Sequence, residues 1–144
     1  MITIIREVSA PASAEEVFAY LSDFRTTGEW DPGTVRTVRT SGDGGVGTVY
    51  ANTSRFAGRT TELTYTVIDL DVPRRITLRG ENSSVQAVDT ITVEPAADGA
   101  RVRYEATFRF RTPLLRLVGP LMRPAFRRLG DGAEAGMRDA LARL

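Results

Sequence analysis

Apolar and polar residues alternate along most of the middle of the chain. The clearest stretch is ARVRYEATFRF, residues 100–110, in which every second side chain is apolar: Val102, Tyr104, Ala106, Phe108 and Phe110. Strict alternation is typical of an antiparallel strand with one buried face. Five further segments between residues 34 and 95 also have strand character, and ITIIREV precedes them at residues 2–8. The pattern therefore predicts an antiparallel sheet of six to seven strands.

Two other segments have the periodicity of a helix. Ser13 and Glu16 have the spacing of a capping box, and they introduce AEEVFAYLSDF at residues 14–24. Near the end of the chain an apolar residue recurs every four positions, at Leu121, Ala125, Leu129, Ala133, Met137 and Leu141. Because three prolines precede or interrupt the start of this stripe, we predict a short first helix and a long last helix from about Pro120 to Arg143.

The order of these elements predicts an α+β fold. A curved antiparallel sheet is expected to wrap around the long C-terminal helix and to leave an internal cavity between them. No linker, repeat or low-complexity segment divides the 144 residues. Residues 1–144 are therefore expected to form a single domain.

The residues that the chain lacks limit its chemistry. It contains no cysteine and no histidine, and all 19 of its Lys and Arg residues are arginine. Disulfides, thiol nucleophiles, Ser-His-Asp triads, the usual zinc sites and lysine Schiff bases are thereby excluded. Any proton transfer must use Asp, Glu, Tyr or water. We expect no metal and no cofactor.

Charge and hydropathy indicate where the protein acts. The formal net charge of +1 is far from the basic character of a nucleic-acid-binding domain, so no nucleic acid partner is expected. The apolar start of the chain is interrupted by Arg6 and Glu7, unlike a signal peptide. No apolar run approaches the roughly 20 residues of a membrane span. We therefore expect a cytoplasmic protein without stable membrane insertion.

A group of arginines near the C-terminus leaves one question about membranes open. Arg111, Arg116, Arg123, Arg127 and Arg128 occur with no acidic residue between them. A basic amphipathic helix can lie on an anionic membrane, so transient membrane contact is one interpretation. Because acidic residues follow from position 131 onwards, a solvated helix face is the interpretation we favour.

Several longer segments carry a resemblance to a known family. SAPASAEEVFAYLSDFRTTGEWDPG matches an N-terminal pattern of an Ala-Pro turn, a Val-Phe helix and a Trp-x-Pro loop, and VGTVY, YTVIDLDVPRRITLRG and ADGARVRYEATF match later strands and turns. Over essentially its whole length the chain resembles the START-like helix-grip superfamily, in its bacterial polyketide cyclase/dehydrase and lipid-transport (SRPBCC) branch. The resemblance implies a pocket for hydrophobic molecules, which binders, carriers and a minority of enzymes use.

The only tryptophan, Trp30, lies in GEWDPG at residues 28–33. The resemblance places this loop beside the cavity entrance, and Pro32 restricts Asp31 to extended conformations. We expect Glu29 and Asp31 to keep the rim wet while the indole turns inward and its N–H finds a partner at the rim. In the alternative interpretation, Trp30 plugs the end of the core and touches no ligand.

Strand alternation also predicts which residues bind a ligand. The expected set shares the inward side of the sheet and helix, with Trp30 beside it: Tyr50, Asn52, Leu63, Tyr65, Leu78, Asp89, Tyr104, Phe108, Met122, Phe126 and Leu129. Asn52 and Asp89 are the polar exceptions. A buried carboxylate usually has a partner or a raised pKa, so Asp89, together with Tyr65, is a candidate for acid or base catalysis. A register shifted by one residue would instead expose Asp89.

Three functions are compatible with these observations. The favoured one is binding or carriage of a hydrophobic or aromatic small molecule, lipid or polyketide-like, because no recognisable catalytic set is present. A cofactor-free polyketide cyclase or dehydratase is the first alternative, in which the pocket positions a reactive chain. A protein-interaction module, such as a chaperone activator or a toxin component, is the second. Monomer and homodimer are both left open.

Overall fold

Seven strands form one antiparallel sheet in the computed structural model, which describes residues 1–144. The strands are β1 (Ile2–Ala10), β2 (Thr34–Ser41), β3 (Val49–Phe56), β4 (Arg59–Asp71), β5 (Arg75–Glu81), β6 (Val85–Ala96) and β7 (Gly99–Phe110). Their order in the sheet is β1-β7-β6-β5-β4-β3-β2, so the first strand pairs with the last. The prediction of an antiparallel sheet of six to seven strands is confirmed.

The helices form two groups, one between β1 and β2 and one after β7. Between β1 and β2 come α1 (Ala14–Ser22), a 3₁₀ turn (Phe24–Thr26) and α2 (Thr27–Trp30); after β7 come α3 (Pro113–Val118), a 3₁₀ turn (Gly119–Met122) and α4 (Arg123–Ala142). Helix α4 packs against β1 and α2. None of the helices is both long enough and apolar enough to cross a bilayer. The predicted α+β fold with a long C-terminal helix is confirmed.

Helix α1 begins at the predicted cap. The Ser13 hydroxyl accepts a hydrogen bond from the Glu16 backbone N–H at 3.2 Å and donates one to the Glu16 carboxylate at 3.3 Å. This pairing satisfies one of the free N–H groups that every helix start leaves. Val17, Phe18 and Leu21 are buried on the face that meets the sheet.

The predicted start of the long helix is wrong by three residues. Residues 119–122 form a 3₁₀ turn, and regular α-helix begins only at Arg123. A 3₁₀ turn has three residues per turn instead of 3.6, so side chains before Arg123 leave the stripe of the α-helix. Leu121, which we expected in the buried stripe, is 81% exposed for this reason. Ala133, Met137 and Leu141 are buried as the stripe predicted.

The segment around Trp30 is helical rather than a loop. The Asp31 backbone N–H bonds to the Thr27 carbonyl at 2.8 Å, which closes a single helical turn. Asp31 itself is extended (φ −101°, ψ 107°), as the following Pro32 predicted, and ends the turn. This turn lies directly on α4, because a Cβ atom at Gly136 would overlap the Trp30 carbonyl oxygen.

Helices α1 and α4 cover different parts of the inner face of the sheet. Under α1 the face is a solid core, in which Val17, Leu21, Ile76 and Leu78 are almost fully buried together. Under α4 a second, smaller cluster contains Ile2, Ile4 and Phe126. Beside this second cluster the packing leaves an open space, which is the candidate site.

Candidate functional site

A cavity of about 250 Å³ lies between the sheet and α4. Every strand except β5 contributes to its wall, together with α2, α3, α4 and both 3₁₀ turns. Strand β5 contributes nothing because its inward positions are covered. The ring of Tyr65 on β4 lies across Gly80 on β5, so closely that a Cβ atom at Gly80 would sit 2.5 Å from the ring.

Asp89 and Tyr104 form a hydrogen-bonded pair in the cavity wall. They lie on the neighbouring strands β6 and β7, and the Tyr104 hydroxyl donates to Asp89 Oδ2 at 3.1 Å. Asp89 is only 4% exposed, and its other oxygen, Oδ1, has no hydrogen-bond partner. Burial raises the pKa of Asp89 to about 7, the Tyr104 hydrogen bond opposes this rise, and the negative charge of Asp31 adds to it. Both protonation states of the carboxyl group are therefore accessible near neutral pH.

Asp31 and Tyr65 surround this pair. Asp31 lines the cavity, where its carboxylate accepts hydrogen bonds from the Gly33 N–H at 2.9 Å and the Thr34 hydroxyl at 3.1 Å. Burial raises the pKa of Asp31, and these two bonds limit the rise. Burial also raises the pKa of Tyr65 well above its ordinary value, with further contributions from the charges of Asp89 and Asp31. Tyr65 therefore faces the cavity as a neutral phenol.

Trp30 lines the same end of the cavity. Its indole ring meets the Tyr104 ring edge-on, with centroids 5.7 Å apart and an interplanar angle of 89°. Trp30 is only 2% exposed, and its Nε1–H has no hydrogen-bond partner. The expected hydrogen-bond partner at the rim is therefore wrong, because the indole N–H is buried and has no partner. Asp31 is half-buried, whereas Glu29 is exposed and accepts a hydrogen bond from the Tyr20 hydroxyl at 3.0 Å.

A relay of hydrogen bonds holds the buried amide of Asn52. Asn52 Nδ2 donates to the Thr37 hydroxyl at 2.9 Å, which lies 2.6 Å from the Thr27 hydroxyl, and Thr27 donates to the Phe24 carbonyl at 2.9 Å. On the other side, the Ser54 hydroxyl donates to Asn52 Oδ1 at 2.7 Å. Because each buried group is paired, the relay fixes the amide in one orientation beside the cavity.

The opposite end of the cavity is apolar and aromatic. Phe126 of α4 lies at its centre, with ring centroids 4.5 Å from Phe56, 4.7 Å from Phe108 and 6.0 Å from Phe110. Met122, Leu115 and Leu129 also line the cavity. An aromatic ring system can pack here against ring edges and faces.

Arg6, at the cavity wall, is already paired with acidic side chains of α4. The Arg6 guanidinium of β1 bonds to Asp131 Oδ1 of α4 at 2.9 Å and lies 3.8 Å from Glu134. These contacts connect the first strand to the last helix. No group of three or more His, Cys, Asp or Glu side chains converges as a metal site would.

The structure brings most of the predicted ligand-binding residues to one cavity. Those that line it are Trp30, Asn52, Leu63, Tyr65, Asp89, Tyr104, Phe108, Met122, Phe126 and Leu129. Tyr50 and Leu78 do not line it. Both point inward as predicted, but they belong to the solid core that includes α1 and Phe24. The alternative register that would expose Asp89 is wrong.

Sequence reasoning missed several residues of the wall. Ser54 and Phe56 follow Asn52 at the same two-residue spacing on β3, and Ile4 and Arg6 share the inward side of β1. Extending the alternation to the end of each strand would have found them. Asp31 was expected only at the rim, because it follows α2 and lies outside any strand, so the alternation does not reach it.

Comparison with known proteins gives a family and a fold. The family profile described as polyketide cyclase / dehydrase and lipid transport matches residues 1–144. A search of curated proteins gives no match.

Solved structures share the fold at low sequence identity. The Zhui aromatase/cyclase from Streptomyces sp. R1128 superposes with a TM-score of 0.82 at 15% identity, covering 97% of this chain and 93% of that chain. A START superfamily protein from Mycobacterium smegmatis gives 0.78 at 12% identity, covering 97% and 95%. A norcoclaurine synthase from Thalictrum flavum gives 0.64 at 20%, covering 96% and 95%. These structures show the helix-grip fold, and the profile match over the whole length shows that the chain belongs to the polyketide cyclase/dehydrase and lipid transport family.

Proposed function

We propose that this protein binds a compact aromatic or polyketide-like molecule in the cavity between the sheet and α4. One observation carries the proposal. The cavity has two chemically different ends, an apolar end built around Phe126 and a polar end built around Asp89, Tyr104 and Trp30. A pocket of apolar walls with a few convergent polar groups is the usual form of a small-molecule site.

The polar end favours an uncharged hydroxyl or carbonyl group on the ligand. Trp30 Nε1–H can only donate a hydrogen bond, and Asp89 Oδ1 can accept one or, when protonated, donate one. Both atoms are buried without a partner, so a ligand group that reached them would remove an unfavourable state. A carboxylate would meet the charges of Asp31 and Asp89, while Arg6 is already paired with acids.

The size of the cavity limits the ligand. A volume of about 250 Å³ lies near the lower end of the roughly 300–1,000 Å³ range of small-molecule sites. It can enclose a molecule of a few rings but not a lipid with two long chains. We therefore favour an aromatic or polyketide-like ligand over a membrane lipid.

Native mass spectrometry of the freshly purified protein tests the proposal first, because it detects and weighs a retained ligand. Calorimetry with three matched probes tests the chemistry. Naphthol carries rings and a neutral hydroxyl, naphthalene lacks the hydroxyl, and naphthoate carries a charge. We expect affinity to fall in that order. Equal affinity for all three probes, or no binding of any, would contradict the proposal.

Two variants assign the binding to this cavity. Ala106 is a buried residue of the cavity wall, so Ala106→Phe should fill the space and abolish naphthol binding. Ala51, on β3, is exposed, and Ala51→Phe is the matched control that should leave binding unchanged. Because Trp30 is the only tryptophan, its single indole N–H resonance should shift on binding.

A second candidate function is proton transfer in a cofactor-free cyclisation or dehydration. The observation that favours it is the Asp89 carboxyl group, whose pKa of about 7 makes both protonation states available near neutral pH. Such a group can take a proton from a carbon acid and return it to the oxygen of the new alcohol. Two similar structures are named as an aromatase/cyclase and a synthase, so the fold is compatible with catalysis.

Substitutions separate the two functions. If Asp89 and Tyr65 are catalytic, Asp89→Asn and Tyr65→Phe abolish turnover of a cyclisable polyketide-like substrate while leaving its binding nearly intact. If both variants only weaken affinity, these residues position a ligand and the protein is a binder.

We further propose that residues 1–144 act as one domain in the cytoplasm, as a monomer or a homodimer.

A further inference from the structure

Three leucines near the start of the C-terminal helical segment are exposed to solvent. Leu114 is 67% exposed, Leu117 is 77% exposed and Leu121 is 81% exposed. Helix α3, which carries the first two, has no buried residue at all. Isolated exposed apolar residues are ordinary on protein surfaces, but three leucines within eight positions form a cluster that packing of this chain does not explain.

The segment that carries these leucines also carries unpaired arginines. Arg109, Arg116 and Arg123 border one shallow cleft, together with Met1, which is 72% exposed. None of these three arginines is within ion-pair distance of an acidic side chain, and no acidic residue occurs between Glu105 and Asp131. The acidic residues that led us to favour a solvated helix face all lie further along α4. The chain from Leu114 to Arg123 therefore exposes leucine side chains and also borders a cleft with positive charge.

The segment that carries the exposed leucines is also a wall of the cavity. Leu115 and Met122, on the same stretch of chain, line the cavity from inside. Only one layer of backbone thus separates the cavity from the exposed leucines. Anything that bound to this surface would lie directly beside the ligand site.

We propose that the basic leucine patch, defined as Leu114, Leu117, Leu121, Arg109, Arg116 and Arg123, docks the protein reversibly on an anionic lipid surface. The leucines enter the headgroup region, where apolar burial contributes to binding, and the arginines pair with lipid phosphates. This docking goes beyond the proposed ligand binding and does not depend on it, because the patch lies outside the cavity.

The composition of the patch favours a bilayer over a protein partner. Protein interfaces are anchored by aromatic side chains in shaped pockets, and the patch contains no exposed aromatic residue. Leucine and arginine on a short amphipathic element are instead the residues of interfacial helices. Charge complementarity selects anionic lipid, since a neutral bilayer offers the arginines no net attraction.

Co-flotation with vesicles tests the proposal on the full chain. We expect the protein to bind vesicles of phosphatidylcholine and phosphatidylglycerol in equal parts, to bind pure phosphatidylcholine far less, and to be released by salt. Removing two arginines with Arg109→Gln/Arg123→Gln should lower the partition coefficient by about 30-fold, since each basic group near an anionic surface contributes about fivefold. Leu117→Ser/Leu121→Ser should lower it by at least about tenfold.

Matched control variants separate the patch from general charge and hydropathy. Arg36→Gln/Arg101→Gln changes the net charge equally, and Arg101 lies on β7 at the end opposite Arg109. Val46→Ser/Val72→Ser removes two apolar side chains that are each 66% exposed. All four variants change exposed side chains, so circular dichroism should show an unchanged fold.

Three results would overturn the docking proposal. The first is a wild-type protein that fails to float with the anionic vesicles. The second is equal loss of vesicle binding in the patch and control variants. The third is that substitutions in the patch leave vesicle binding intact but abolish binding to a purified acidic protein. Naphthol calorimetry on the same variants reports the cavity separately, so the two proposals can fail independently.

Discussion

The Asp89 carboxyl group makes the stability of this protein depend on pH in an unusual direction. Burial raises its pKa from 3.8 to about 7 in the folded chain. Each unit of pKa shift corresponds to about 1.4 kcal/mol, so the ionised carboxylate costs the folded state about 4 kcal/mol. Replacing this group by an amide should remove that cost.

The cost appears only above a certain pH. Below a pH of about 4 the carboxyl group is protonated in both states, and the folded chain carries no penalty. As the pH rises towards about 7, the unfolded chain has released the proton while the folded chain retains it, so stability falls. Wild-type protein should thus lose about 3 kcal/mol through this group between about pH 5 and about pH 8.

Asp89→Asn isolates this effect. The amide oxygen can still accept the Tyr104 hydrogen bond, and the NH₂ group takes the place of Oδ1, which has no partner. The variant resembles a carboxyl group that is protonated in both the folded and the unfolded chain. It should therefore be more stable than the wild type by about 1.5 kcal/mol near about pH 5 and by about 4 kcal/mol near about pH 8. Urea unfolding at both pH values, followed by Trp30 emission and circular dichroism, measures the difference.

Subtracting the variant from the wild type cancels the titration of every group that does not interact with Asp89; the charge of Asp31 remains part of the difference because it acts on the pKa of Asp89. Asp98→Asn, in the exposed turn between β6 and β7, is the control and should change stability by less than about 0.5 kcal/mol at either pH. A gap between wild type and Asp89→Asn that is equal at both pH values would refute the reasoning. So would a variant that is less stable than the wild type near about pH 8.

Three further substitutions test the walls of the cavity. Gly80→Ala places a Cβ atom 2.5 Å from the Tyr65 ring, so it should destabilise the fold by about 1–3 kcal/mol and weaken naphthol binding in calorimetry. Phe126→Ala removes the ring that three other phenylalanines contact, so the free energy of unfolding should fall by about 3–5 kcal/mol. The enlarged cavity should bind larger ring systems, and an unchanged size preference would place the ligand elsewhere. In Gly136→Ala the new Cβ atom would collide with the Trp30 carbonyl oxygen, so the variant should have a shifted indole N–H resonance and a lower melting temperature. An unshifted resonance would contradict the close packing of α2 on α4.

The alternation of side chains was enough to predict the sheet. Along β7, Val102 and Ala106 are buried, and the whole strand pairs in register with β6, as the two-residue period required. The period of a strand is a local property of the backbone, so the chain records it directly. For the same reason the capping pair of Ser13 and Glu16 could be read before the helix was seen.

The ends of helices were harder to predict. Leu121 fits a four-residue repeat, yet it is exposed, because the chain before Arg123 adopts a 3₁₀ turn. Trp30 was expected in a loop and closes a helical turn instead. In both places a proline lies nearby, and a proline shows that regular structure is interrupted without showing what replaces it.

Sequence by itself determined which residues of this protein face inward, because a side chain alternates with its own neighbours. Only the tertiary structure decided what each inward residue meets. Tyr50 and Leu78 meet α1 and its neighbouring turn and become core, whereas Asp89 and Tyr104 meet the space under α4 and become a cavity wall. The pKa of Asp89 depends on its burial and on the charge of Asp31, which is far away in sequence. Both effects depend on distances in the folded chain, and the sequence does not give those distances.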